Sequence, residues 1–279
     1  GEMALKQRNT RLPKMTDDVA ALVLRDNYFQ TQALSIAGRQ GVALIDQQGR
    51  FIRFLERIGQ LNRAIEYLPT DDQLKERKLR GVGLTSPEMA VLLAYSKMWL
   101  SDELVASDLP DDPWVAAALQ RYFPALLREK FAHYIPRHPL RREIIATHVL
   151  NRMVNRVGPT FVHRITEMTG AAPAQIVRAY LAMREVFGHG LLWKQIEALD
   201  NVVDDAVQAR MLIDITLHLE RGTKWFLRSR RLNDDMATTI NHFTPAAQAL
   251  SARLAGLLEP GERARQETAM ARYQTSGVP

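Results

Sequence analysis

Apolar residues recur every three to four positions along almost all of the 279 residues, and the alternating runs of half-buried strands are missing. A chain patterned in this way must bury helical stripes against one another. That predicts an all-α fold, an irregular bundle of about ten helices joined by short loops. Thr16 is placed as the cap of a helix through residues 17–37. Residues 40–68 continue the helical spacing with Phe51, Leu55, Ile58, Leu61 and Ile65. Thr85 and Glu88 have the three-residue offset of a capping box, in which each side chain reaches the other's backbone N–H. Asp112 before Pro113 marks another start, because proline lacks an N–H that the first turn cannot use. Pro124, Pro139, Pro159 and Pro173 follow breaks and open further helices, and Gly158, Gly170 and Gly188 stop them. Later helices are expected over 191–199, 204–231, 245–257 and 261–273. The Asp-Asp pairs at 17–18, 71–72, 111–112, 204–205 and 234–235 read as helix starts, where negative charge suits the dipole. No self-similarity of 33 to 45 residues argues for a helical repeat.

Domain organisation follows from the punctuation. Residues 1–15 read as a remnant or linker, and 16–258 as one helical domain with a subdomain break near 68–88. Residues 259–279 read as a terminal helix or linker that is cut short. With 46% hydrophobic and 24% charged residues the chain can bury a core, so disorder is not expected for its bulk. Zero cysteines exclude disulfides, thiolate catalysis and Cys-ligated metals. No apolar run approaches the roughly 20 residues of a membrane span, and the N-terminus lacks the apolar core of a signal peptide. A soluble, cytoplasmic protein with no membrane partner is expected.

Charge is unevenly placed. Residues 121–164 hold nine Lys/Arg against two Asp/Glu, a local +7; subtracting it from the formal +6 leaves −1 elsewhere. Four of the seven histidines fall in the same window. Such a window suits nucleic acid, and it suits an acidic protein surface equally well. Within it, a helix from Pro139 to about Val157 projects Ala146, Val149, Leu150, Met153 and Val157 onto one apolar face. Arg141, His148, Arg152 and Asn155 line the opposite face, flanked by Ile144 and Ile145. Those isoleucines make the polar face a candidate docking surface, where arginines pair with carboxylates; an ordinary solvated side is the alternative.

Sites for chemistry are sparse. Gly81-Val-Gly83 and Gly188-His-Gly190 lack the third glycine, the preceding strand and the lysine of a phosphate cradle, and read as loop glycines. His133, His138 and His148 lack the one-face spacing of a metal site. Asp214 and His218 lie four apart with Arg210 and Arg221 on the same side, a pairing that can orient a general base. Because the surrounding residues are apolar nearly all round, the stripe Arg210, Asp214, His218, Arg221 is expected to satisfy charge inside the bundle. In Lys224–Arg231 the aromatic pair Trp225 and Phe226 is expected to pack inside while the arginines face water. The alternatives from other classes are a stand-alone helical nucleic-acid-binding or interaction domain, and a small helical enzyme using Asp214 and His218.

Several long phrases, in order, resemble one family: MTDDVAALVLRDNYFQTQALS, LNRAIEYLPTDDQLKERKLRGVGLTSPEMAVLLAYSK, AYLAMREVFG, LLWKQIEALDN and LERGTKWFLR. The family is the very large bacterial NAD-specific glutamate dehydrogenases, and the resemblance covers residues 12–279 of this chain with their C-terminal part. It implies a fragment that begins after the catalytic domain of an enzyme oxidising L-glutamate to 2-oxoglutarate and ammonia. NAD is then the cofactor of the parent protein, with none bound by the fragment. None of the family's catalytic or dinucleotide-binding motifs matches a position here, so no such residue is carried over. The implied partners are the catalytic domain of its own chain and further copies in a homo-oligomer, with no role for nucleic acid.

Overall fold

The computed structural model describes residues 5–229 and 235–278. Among them fourteen α-helices follow one another and no strand occurs, so the all-α expectation holds with more and shorter pieces than the sequence suggested. They are α1 (Leu5–Gln40), α2 (Ile45–Arg57), α3 (Asp71–Leu79), α4 (Ser86–Ala106), α5 (Pro113–Ala116), α6 (Ala118–Tyr122) and α7 (Ala125–Phe131). After these come α8 (Arg141–Val157), α9 (Phe161–Thr169), α10 (Pro173–Val186), α11 (His189–Glu197), α12 (Asp205–Arg228), α13 (Met236–Leu257) and α14 (Pro260–Thr275). The chain divides into two compact units, residues 1–164 and 165–279, and the segment 68–88 lies inside the first.

In the first unit, α4 and α8 pack along each other, with α1 and α6 also against α8. Phe51, Ile52 and Leu55 of α2, Leu92, Trp99 and Leu100 of α4, and Ala146, Leu150 and Met153 of α8 are all buried. His163 belongs to this core: its ring lies 4.6 Å from that of Phe54 and 5.4 Å from that of Phe51. Caps fix the element starts. Glu88 accepts from the Thr85 N–H at 2.7 Å and takes both Arg77 nitrogens at 2.7 and 2.9 Å. Burial opposes ionisation of Glu88, yet these hydrogen bonds from Arg77 and Thr85 hold its pKa below the ordinary value. A second full capping box, Thr70 with Gln73, opens α3. Where α3 hands over to α4, a Cβ on Gly83 would stand 2.6 Å from the Gly41 carbonyl carbon, so two backbones touch with no room for a side chain.

In the second unit, α10 is buried from Ile176 to Val186 on most sides and packs on α12, α13 and α11. Gly222 of α12 lets that helix approach so closely that a Cβ there would overlap the Met183 side chain. Phe226 is buried and meets Phe243 of α13 edge-on at 5.1 Å.

Four expectations need correction. Thr16 caps nothing: it lies inside α1, where its hydroxyl donates to the Leu12 carbonyl at 3.4 Å, and Asp17 and Asp18 are likewise interior. The helix expected through residue 68 stops at Arg57. Gly59 takes a left-handed φ of +73°, and the Asn62 side chain accepts from Ala64 and Ile65 in a turn, leaving Ile65 exposed. Pro245 sits within α13 instead of opening it, because Asp235 caps that helix by accepting from the Thr238 N–H at 2.9 Å. Trp225 is half-exposed, though it packs edge-on against Phe243. Arg230, Arg231 and Asp234 lie outside the described residues, as does Gly1.

Candidate functional site

The face proposed on α8 is only partly a surface. Arg141 and Arg152 are exposed and His148 is half-buried, but Asn155 is 2% exposed. Three helices, α1, α4 and α6, surround α8, so its buried arc is wider than the one apolar stripe read from the sequence and takes in Ile145, Val154 and Asn155. Neither polar atom of the Asn155 side chain has a hydrogen-bond partner among the described residues. Arg141 donates to Asp111 at 2.9 Å. Its neighbour Arg142, which spacing did not single out, bonds the same carboxylate and donates to the Val105 and Ser107 carbonyls at 3.0 and 2.6 Å. A cation there meets the negative end of the α4 dipole and ties the start of α8 to it.

Along α12 the stripe is at the surface, not inside the bundle. Arg210, Asp214, His218 and Arg221 are all exposed, while Ala209, Leu212, Ile215, Leu219 and Phe226 form the buried side. Apolar residues nearly all round therefore did not mean burial all round; Leu217 is exposed too. Asp214 and His218 do not act on each other as a pair. Asp214 accepts from the Tyr273 hydroxyl of α14 at 3.0 Å, and burial together with that carboxylate pushes the phenol pKa up. The partner of His218 is His189, with Nδ1 and Nε2 3.0 Å apart. His189 is buried at the start of α11, beside Trp193 and Phe187. Its burial, then the proximity of His218, lowers its pKa to about 4. His218 is also lowered, by desolvation where it meets its neighbours and then by the Arg221 charge. Sequence reasoning missed this pair because the two rings are 29 residues apart. His189 also sat in a Gly-His-Gly stretch read only for its glycines.

An open cavity of about 420 Å³ lies beside the turn after α2, lined by Glu56, Arg63 and Thr70 among others. Arg63 spends its donors on Glu56 at 2.6 and 3.0 Å, Asp71 at 2.9 Å and the Pro69 carbonyl at 3.1 Å. This is a braced loop with its cation already neutralised. Among the described residues no group of three or more His, Asp or Glu is placed to hold a metal ion. No helix among them is long and apolar enough to cross a membrane.

Comparison with known proteins places these elements. The sequence model described as glutamate dehydrogenase, C-terminal, matches residues 81–279. That of the bacterial NAD-glutamate dehydrogenase catalytic domain matches residues 1–37, which corrects the expectation that all of this chain lies after that domain. Proteins named NAD-specific glutamate dehydrogenase are similar over the whole of this chain. The one from Pseudomonas aeruginosa is 45% identical over 282 residues, that from Halomonas elongata 42% over 284, and that from Mycobacterium tuberculosis 35% over 279. The chain spans 17% of the length of each of these relatives. With most of its residues matched in this way, the chain belongs to the glutamate dehydrogenase C-terminal family.

Proposed function

We propose that this chain is a non-catalytic, helical accessory region of an NAD-specific glutamate dehydrogenase. The whole protein oxidises L-glutamate to 2-oxoglutarate and ammonia with NAD as hydride acceptor. The observation that carries this is the match of residues 81–279 to the C-terminal family, within relatives similar along the entire chain. NAD is then the cofactor of the whole protein and is held outside this chain. The partner is the catalytic domain of the same polypeptide, in a cytoplasmic homo-oligomer. Arg152 is exposed on α8 within the +7 window, a charge suited to a carboxylate-bearing protein surface.

The test compares three samples for glutamate-dependent NADH formation: the purified chain, the whole dehydrogenase, and the whole dehydrogenase lacking residues 81–279. The chain alone is expected to be inactive, and the shortened enzyme to unfold at a lower temperature or lose its assembly. Turnover by the chain alone that His218→Ala abolishes would overturn the reading. So would a shortened enzyme with unchanged melting, assembly and rate.

A further inference from the structure

Helix α1 is 36 residues, about 54 Å at 1.5 Å per residue, yet of its described side chains before Ala33 none is buried. Leu12, Val19 and Val23 are 51%, 43% and 53% exposed. Spaced by seven and four residues, they fall within about 40° of one line along the helix. A helix presenting an apolar line to water gains nothing from it and holds together poorly alone, because most helical stability comes from packing such a line.

The far end of the same helix is anchored. Ala33 is buried, α1 packs on α4 and α8, and the Arg156 guanidinium of α8 lies 4.2 Å from the Phe29 ring centroid. Arg156 also donates to Gln32 at 3.3 Å. The family match to the catalytic domain covers residues 1–37 and stops within about one turn of Ala33, where burial begins. The catalytic-domain match therefore ends inside an unbroken helix, three residues before Gln40, while the C-terminal match begins only at residue 81; the uncovered half of the helix carries catalytic-domain sequence.

We propose that α1 is a helix shared between the two parts of the enzyme. Leu12, Val19 and Val23 pack into the catalytic domain, and the Phe29–Arg156 contact fixes the other end to α8. This deepens the proposed function and rests on it. A rigid helix held at both ends transmits displacement of one part to the other, which a flexible linker does not.

Amide hydrogen exchange of residues 12–28 tests this in the wild-type whole dehydrogenase and in the 279-residue chain. Exchange on the order of 100-fold slower in the whole enzyme is expected. Equal exchange in both, while loss of residues 81–279 still impairs the enzyme, overturns the shared helix and leaves the proposed function standing. Protection in the chain alone that rises with its concentration, alongside a dimer mass, assigns the face to a second copy and also overturns it. Val19→Asp with Val23→Asp is expected to lower the whole enzyme's rate at least ~10-fold, and to leave the melting of the isolated chain unchanged. An equal effect from Ala21→Asp, on the opposite side of the helix, would overturn the assignment of the face.

Discussion

The Arg156 guanidinium on α8 lies over the Phe29 ring on α1, 4.2 Å from its centroid. Both side chains are half-buried, so the cation is partly stripped of water and its attraction to the ring face is stronger than at an open surface. Arg156→Ala is expected to destabilise the first unit by about 1 kcal/mol. The check is the denaturant midpoint together with faster amide exchange over residues 29–36. An unchanged midpoint would mean that α1 is held by its other neighbours.

Acid should weaken the second unit before it weakens the first. The His189 pKa is about 4 in the fold against 6.5 when unfolded, so between these values the unfolded chain binds the extra proton. Its contribution is complete above about pH 6.5 and is lost as pH falls towards 4, to an extent of about 3 kcal/mol. Glu88 in the first unit has the same sign but a lower window: its stabilisation is present above its ordinary pKa of 4.5 and is lost only below it. Melting temperature against pH should show the His189 step between 6.5 and 4, and His189→Phe should flatten it.

Gly222→Ala drives a methyl group into Met183, which is buried and has little room to turn. Overpacking of this kind is expected to cost about 1–3 kcal/mol. Shortening the obstacle with Met183→Val should recover part of that loss, as a coupling on the order of 1 kcal/mol in a double-mutant cycle. Additive losses would show that α10 and α12 separate instead of repacking.

Asn155 is buried with no hydrogen-bond partner among the described residues for either side-chain polar atom. Leucine has nearly its shape and no polar atom to strip of water. Asn155→Leu is therefore expected to stabilise by about 1 kcal/mol, read from chemical denaturation. A loss of stability instead would reveal a polar neighbour that Asn155 serves.

What was legible in the sequence was local. The Thr85–Glu88 box, the Asp112–Pro113 start and the stops at Gly158 and Gly170 depend on neighbours within four residues, and the structure has them. The apolar face of α8 was legible for the same reason, since spacing alone fixes it. Thr16 misled because Thr-Asp-Asp is a capping sequence wherever it lies, while the helix that contains it had already begun eleven residues earlier at Leu5. Asn155 and the α12 stripe misled in opposite directions. One is covered by helices far away in the sequence and the other is left uncovered, and periodicity carries no information on how many neighbours a helix has. The His189–His218 contact and the Arg142 bridge to α4 are products of packing alone.

The touching backbones of Gly41 and Gly83 have a genetic consequence. Most steric clashes can be relieved by trimming the residue opposite, but Gly41 has nothing left to trim, and its φ of +50° already favours glycine. Position 83 thus faces no side chain whose trimming could forgive a substitution. A suppressor screen begun from Gly83→Ala is expected to yield true revertants, or changes that shift the whole loop between α3 and α4.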